Sequence, residues 1–296
     1  MSDLKIGGQA VVEGVTMRSN HYIATAVRKS DGTIKKRIRK FISFTDRHKA
    51  ANIPFIRGIF SLVEVMILGF KEITWSSNQA IDENEKITTK EIVFMIVFSL
   101  IFGIALFKLL PWFLATTIIP LIKKQSTTVN ILDALFKIII LSTYLFVISL
   151  MPDVKRLFQY HGAEHKSVTC HEKKIKLTPK NAQKFTTIHP RCGTTFIIWV
   201  FLFSMLFYML IPISLGFWMN FLVRILLLPL IAGVSFEVIR LSGKYYYKSK
   251  IVRIIVWPGL QFQRLTTREP DLKQLEVAIA SLNACLDKEK KMAKKA

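Results

Sequence analysis

Uncharged apolar runs long enough to cross a bilayer alternate along this chain with stretches crowded with lysine and arginine. From Ile92 to Phe107 the sequence reads IVFMIVFSLIFGIALF, and beyond Lys108 it stays apolar as LLPWFLATTIIPLI to Ile122. This predicts one long span, bent or ended by Pro111 and Pro120. Ile131 to Met151 predicts a second, with Asp133 and Lys137 four residues apart and able to pair on one helix face. Pro152 ends it or opens the next helix. Phe196 to Trp218 and Phe221 to Leu241 predict a third and a fourth span, an antiparallel hairpin turning around Leu215, Gly216 and Asn220. Arg224 stands at the entry of the fourth, where its long side chain reaches the interface.

Between and beyond the spans the pattern changes. IPFIRGIFSLVEVMILGFK, from Ile53 to Lys71, opens with a proline suited to a helix start but is too interrupted by charge to span. Arg57, Ser61, Glu64 and Lys71 fall on one narrow stripe, so this helix lies in the interface or packs beside the spans, with Arg57 and Glu64 paired. HYIATAVRKSDGTIKKRIRKF predicts two short strands around a turn at Ser30, Asp31 and Gly32. PDLKQLEVAIASLNACL predicts an amphipathic helix with Leu275, Ala278, Ile279, Leu282 and Leu286 inward, followed by a lysine-rich solvated tail. The expected fold is a mainly α integral membrane protein with about four transmembrane helices, basic cytoplasmic regions and a small N-terminal β-hairpin element. Its segments are a cytoplasmic α+β stretch (1–52), an amphipathic interfacial helix (53–80), a first pair of transmembrane helices (91–151), a cytoplasmic loop with a His/Cys motif (152–195), a transmembrane hairpin (196–243) and a cytoplasmic helical segment (244–296).

Composition supports this reading. Of 296 residues 51% are hydrophobic and the mean hydropathy is +0.35, yet Lys and Arg outnumber Asp and Glu by 42 to 20. Soluble domains rarely combine the two traits, and segregation into spans and basic loops reconciles them. Residues 1–91 carry fifteen Lys and Arg, 152–195 nine and 244–296 twelve, against three in 108–130. Positive loops stay in the cytoplasm, so a multi-pass protein of the cell membrane with both termini and the central loop inside is expected. No secretory signal peptide is expected in MSDLKIGGQA, which lacks an apolar core region. Three cysteines on or near that side imply free thiols or metal ligands rather than disulfides. The basic run IKKRIRKF, Ile34 to Phe41, faces an anionic inner leaflet, and nucleic acid is not an expected partner.

The chemistry concentrates in HGAEHKSVTCHEKK, His161 to Lys174, which holds three of the six histidines. His161, Glu164 and His165 form H-x-x-E-H, meaningful as a metal motif only on a helix. There His161 and His165 stand one turn apart on one face, with Glu164 beside them to activate a water. Catalytic zinc commonly has three protein ligands and one open position, so a third ligand is needed. Three sources offer it, taken in this order: Glu237 at the cytoplasmic end of the fourth span, alternatively paired with Arg240; His189 and Cys192 in HPRCGTTF; and Cys170 with His171. All converge on the inner membrane face if the topology above holds. In GGQAVVEG, Gly7, Gly8 and Gly14 permit close backbone approach, and the segment reads as a tight turn. A sharper reading brings Glu13, with Gln9 nearby, to the metal as ligand or as the carboxylate that orients a ligating histidine. The spacing excludes a phosphate-binding P-loop.

GGQAVVEGVTMRS, YHGAEHKSVTCHE, HPRCGTTF, SFEVIRLSGK and PGLQFQRLTTREPDLKQLEVAIASL resemble, in order and along most of the chain, the YqhQ-like family of bacterial membrane proteins. That family is described as predicted metal-dependent enzymes on the strength of the histidine motif. The resemblance implies the architecture and points to Glu13, Glu164, His161, His165, His189, Cys192 and Glu237. After GGQAVVEGV this chain has TMRSN, where the family tends to have a second methionine and a Gly-Pro turn. Two functional classes follow. One is a metal-dependent, zinc-type hydrolase at the cytoplasmic membrane face, with a divalent ion, Glu164 as base, Arg191 or Arg240 steadying negative charge, and a membrane-protein segment or lipid-linked group as substrate. The other is a non-catalytic membrane scaffold or regulator with a structural metal or a polar histidine cluster.

Overall fold

The structure is a computed structural model describing residues 6–80, 88–118, 126–211, 215 and 217–294. The N-terminal region builds a four-stranded antiparallel meander, β1 (Gly7–Val11), β2 (Gly14–Arg18), β3 (Tyr22–Arg28) and β4 (Ile34–Lys40), in that spatial order. The expected hairpin is β3–β4, turned at Gly32 with φ +82° while Asp31 Oδ1 accepts the Thr33 N–H at 2.8 Å. A second hairpin, β1–β2, lies outside the expectation. It turns on Val12 and Glu13, and Glu13 takes φ +50° without being glycine. Alternation along β2 and β3 sends Val15, Met17, Ala24 and Ala26 to one face, all at 1% exposure or less.

That face is covered by helices from far along the chain. In order the helices are α1 (Phe44–Arg47), α2 (Ile56–Ala80), α3 (Thr89–Ile104), α4 (Leu110–Ile118), α5 (Ser126–Ile148), α6 (Pro152–Glu172), α7 (Pro179–Ala182), α8 (Thr194–Tyr208), α9 (Phe217–Tyr245), α10 (Lys250–Thr266) and α11 (Leu272–Ala293). Helix α11 lies on the apolar sheet face as its periodicity predicts, with Leu275, Ala278, Ile279, Leu282 and Leu286 all buried. Ser281 and Cys285 fix its position by bonding backbone: Met17 N–H donates to Ser281 Oγ at 3.1 Å, and Ser281 donates to Ala24 O at 2.8 Å. Helix α6 joins the same core through Tyr160, Ala163, Val168 and Cys170. Across the sheet, Glu72 of α2 accepts from Thr25 Oγ1 at 2.6 Å and from Arg37 at 2.6 Å, and also from Arg39.

Helix α2 spans nearly the predicted range, but Arg57 does not pair with Glu64. The Arg57 guanidinium meets Glu237 of α9, Nε at 2.6 Å and Nη2 at 2.5 Å, while Glu64 accepts from Ser43 and the Phe44 N–H. The reason is a close crossing of α2 over α9: a Cβ at Gly58 would stand 3.1 Å from Gly233 Cα and 2.9 Å from Phe236 Cβ.

Among the described residues three stretches are long and apolar enough to cross a membrane, Val93–Ala115, Ile131–Ile148 and Trp218–Tyr245. They correspond to the first, second and fourth expected spans. Between α3 and α4 the first contains a π-helical turn, Ala105–Leu109, next to Pro111. Proline has no N–H for the carbonyl one turn earlier, and the wider turn absorbs that defect. Of the third expected span, Phe196–Trp218, the described part forms the 15-residue α8, about 22 Å long beside a hydrocarbon core of about 30 Å; residues 212–214 lie outside the described residues. Pro120, Gly216 and the end of the first span lie outside the described residues. Helix α10 was not anticipated as an element; it buries Val256, Leu260 and Gln263 and exposes Ile251, Ile254 and Trp257.

Candidate metal centre

Helix α6 carries H-x-x-E-H on its buried half: Ala163 to Cys170 are all buried, and His165 is 2% exposed. Its start is set by Pro152 at the first helical turn and Asp153 near the positive helix end. Gly162 lets α6 touch the backbone after α10, where a Cβ would meet Arg268 O at 2.1 Å. Gly8 does the same for β1, where a Cβ would stand 2.8 Å from Glu164 Cγ. The glycines flanking the motif in space are therefore what let its side chains be enclosed.

Among the described residues, His161, His165 and Cys192 bring one ligand atom each to within 4.8 Å of one another. Cys192 Sγ lies 3.3 Å from His161 Nε2, and the two imidazole centroids are 4.5 Å apart. Both rings are held from behind: His161 Nδ1 faces Thr266 O at 2.9 Å and His165 Nδ1 faces Thr187 O. A carbonyl only accepts, so each Nδ1 carries a proton, and in the neutral ring Nε2 is the free lone pair turned inward. Glu164 Oε2 is 3.3 Å from His165 Nε2. The thiol of Cys192 is hydrogen-bond neighbour to Thr194 Oγ1 at 3.1 Å.

Charge follows from this packing. Burial alone would keep Cys192 neutral, but the His161 and His165 rings outweigh it and hold the thiol well below its ordinary range. Burial likewise opposes a charge on His165, yet Cys192 and Glu164 beside it raise the ring to about 9. His189 goes the other way, lowered to about 4 by burial and by the neighbouring His165. The enclosed group thus favours a thiolate beside imidazolium, a protonation state that a bound cation would replace.

The remaining candidates fall outside the three-atom group. Glu237, placed first among the third-ligand candidates, has both oxygens on Arg57 and a looser contact with Arg240 at 3.8 Å. The crossing with α2, absent from any local reading, supplies that partner. His189 sits beside His165, centroids 5.7 Å apart, with Nε2 3.3 Å from Glu172 Oε2 and its N–H on Gln263 Oε1 at 2.9 Å. Glu13 binds Arg156, Nε at 2.6 Å, and lies 3.3 Å from the Tyr160 hydroxyl, so the turn reading holds and the orienting role passes to the Thr187 and Thr266 carbonyls. The Gln9 amide packs on Gly69 of α2. Arg191 reaches Glu172 and donates to Ile6 O at 3.2 Å. His171 is half-buried, and burial together with Lys290 lowers its pKa; Cys170 is buried in the core of α6 and α11.

Sequence reasoning missed Thr187, Thr266 and Gln263, whose Nε2 donates to His189 O at 2.9 Å and to Thr195 Oγ1 at 2.8 Å. For Gln263 and Thr266 the signal was QRLTTREP inside a stretch shared with the family; Thr187 had none. Comparison with known proteins agrees with that resemblance. Residues 53–288 match the model of a protein family of unknown function, DUF1385. The chain is 35% identical over 299 aligned positions to the uncharacterized protein YqhQ of Bacillus subtilis (strain 168), covering 95% of this chain and 92% of that protein. No solved structure matches. Motif helix, cysteine loop and α10 all lie within the matched residues, and the chain belongs to the DUF1385 family.

Proposed function

We propose that this is a membrane-bound metalloprotein, a divalent metal-dependent hydrolase of zinc type whose site faces the cytoplasmic membrane surface. The observation that carries it is the convergence of His161, His165 and Cys192, with both imidazoles backed by carbonyls. A tetrahedral zinc ion with bonds of about 2.0–2.3 Å keeps its ligand atoms roughly 3.3–3.8 Å apart, and the Cys192–His161 spacing of 3.3 Å suits it. Two imidazoles and a thiolate are a soft, borderline donor set that favours zinc over calcium or magnesium. Three protein donors leave a place for substrate or water. A bound ion supplies Lewis-acid polarisation of a scissile carbonyl or phosphoryl oxygen. Glu164, buried and next to the ligand nitrogen of His165, is the base that takes a proton from the attacking water. Arg191 is near enough to Glu164 to feel its charge.

Membrane placement is supported by the exposure of Phe94 at 70%, Ile139 at 56% and Leu226 at 67%, one on each of the three long apolar stretches. Helix α10 adds exposed Ile251, Ile254 and Trp257 alongside Lys250 and Arg253, the composition of a helix lying on an anionic surface. The substrate class is then a membrane-protein segment or a lipid-linked group. A structural clamp is the second reading, favoured by the way the cluster knits α6, the loop before α8 and the end of α10. Metal content by mass spectrometry on detergent-purified protein tests the centre: near one ion per chain is expected, lost in His161→Ala, His165→Ala. Glu164→Gln should keep metal and fold and lose about 10³-fold or more of any hydrolytic rate, as removal of a general base does. Metal-free, well-folded wild type after zinc, manganese or iron reconstitution sinks the proposal, and unchanged function in Glu164→Gln leaves the clamp.

A further inference from the structure

A second cluster of ionisable side chains lies among the apolar helices, unrelated to the metal motif. Lys137 Nζ is 2.5 Å from Asp133 Oδ2 on α5, and both residues are buried, at 6% and 4% exposure. Arg224 of α9 adds a contact with the same carboxylate, Nη1 to Oδ2 at 3.9 Å, and Asn220 Oδ1 accepts from its Nε at 2.7 Å. Lys108, carried on the π turn between α3 and α4, completes the group. The buried ring of Tyr208, near the end of α8, is its hub: Arg224 Cζ is 4.6 Å from the centroid, Lys108 Nζ 5.2 Å and Lys137 Nζ 5.7 Å. Four separate apolar segments therefore aim polar groups at one point.

The charge there does not balance. Among the described residues three cations meet one carboxylate, and Asp133 is the only acidic residue in the sequence between Glu91 and Asp153, with none between Glu172 and Glu237. Ionisable groups among apolar helices are costly unless compensated, and an excess of two positive charges calls for an anion from outside the chain. Lys108 and Arg224 are only part-buried and so open the cluster to the surface, and lysine with arginine is the usual pairing for a phosphate. A π turn inside an α-helix frequently marks a functional position, and here it delivers Lys108.

We infer that Lys108, Lys137 and Arg224, grouped around Tyr208, form a binding site for a phosphate-type anion at the opposite end of the helices from the His/Cys centre. The separation has two measures. Helix α8 begins beside Cys192 and runs 15 residues to Tyr208, about 21 Å. Helix α9 runs from Arg224 to Ser242, whose hydroxyl donates to Pro190 O, a rise of about 27 Å. With the membrane placement proposed above, on which this inference rests, the site opens at the far leaflet. The shared chemistry is a phosphate group; its source is a lipid headgroup or a soluble phosphate.

Full-length protein in detergent, titrated with phosphatidylglycerol or phosphatidylcholine and read by native mass spectrometry, tests it, with inorganic phosphate in a calorimetric arm. Because the basic cytoplasmic regions also attract anionic lipid, the difference between variants is the readout. Lys108→Gln with Arg224→Gln should weaken the tightest phosphatidylglycerol site about tenfold, and Asp133→Asn, which removes the internal counter-charge, should tighten it about threefold. Lipid retention shifting this way assigns a headgroup; a calorimetric shift with phosphate alone assigns a soluble anion. No shift in either arm, or both variants moving in the same direction, overturns the site and leaves a helix brace. Carbonate extraction of the membrane fraction reports separately on membrane placement, and metal content should stay at the wild-type level in every variant.

Discussion

Cys192 carries more of the centre's character than either histidine, because it alone brings a soft anionic donor to rings already aligned by the backbone. Cys192→Ser is expected to reduce bound zinc affinity about tenfold or more, whereas Glu237→Gln should leave metal content unchanged; competition with a chromophoric chelator measures both. A second residue-scale prediction concerns Glu289, buried on α11 against His21. Burial pushes its carboxyl up, but the His21 N–H at 2.7 Å and ring Nδ1 at 2.9 Å outweigh that and hold it below the ordinary range. A carboxylate whose folded pKa lies below its unfolded value of about 4.3 adds stability that is present above that value and lost as pH falls through the folded one. Thermal unfolding followed between about pH 7 and pH 3 should thus show a smaller acid-side loss in Glu289→Gln than in wild type. Equal losses in the two proteins would remove Glu289 from the pH response.

At the scale of elements, α6 depends on what its small residues allow. A Cβ on Gly162 would lie 2.1 Å from Arg268 O, a backbone atom, and the neighbouring segment is tied to α6 by the Arg268 N–H to Phe158 O bond at 2.9 Å. Gly162→Ala must therefore push α6 away from Thr266–Arg268 and pull His161 off the Thr266 carbonyl. The expected cost is about 1–3 kcal/mol, with a loss of metal affinity although no ligand is changed. Retained affinity in a destabilised Gly162→Ala protein would show that the carbonyl is dispensable. Helix α11, strands β3 and β4 and the turn between them were readable in advance because their apolar spacing or turn chemistry is local: Leu275, Leu282 and Leu286 repeat at helical intervals, and Asp31–Gly32 is a turn pair. The β1–β2 hairpin was not, since its strands are only five residues each and its turn uses a glutamate in left-handed backbone rather than a turn pair such as Asp-Gly.

Across the whole molecule, the Arg57–Glu237 pair joins α2 to the long apolar helix α9, with both side chains shielded at 16% and 13% exposure. A double-mutant cycle with Arg57→Gln and Glu237→Gln, read as unfolding in detergent, should give a coupling of about 1–2 kcal/mol. A coupling near zero would mean that the Gly58–Gly233 approach alone holds the crossing. The same crossing gives Glu237 its partner, and Glu237 does not join the group of His161, His165 and Cys192.

Sequence by itself determined the apolar helices, the basic stretches between them, the H-x-x-E-H face and the inward side of α11, because each is a matter of spacing within one element. Only the tertiary structure decided which of Glu237, His189, Cys192 and His171 joins His161 and His165. That answer depends on contacts between residues far apart in the chain, such as Arg57 with Glu237 and His161 with Thr266, set by where glycines let backbones meet. No local pattern encodes a partner that arrives from another element, so the identity of the third group beside His161 and His165, unlike the helix face that carries them, is a property of the fold.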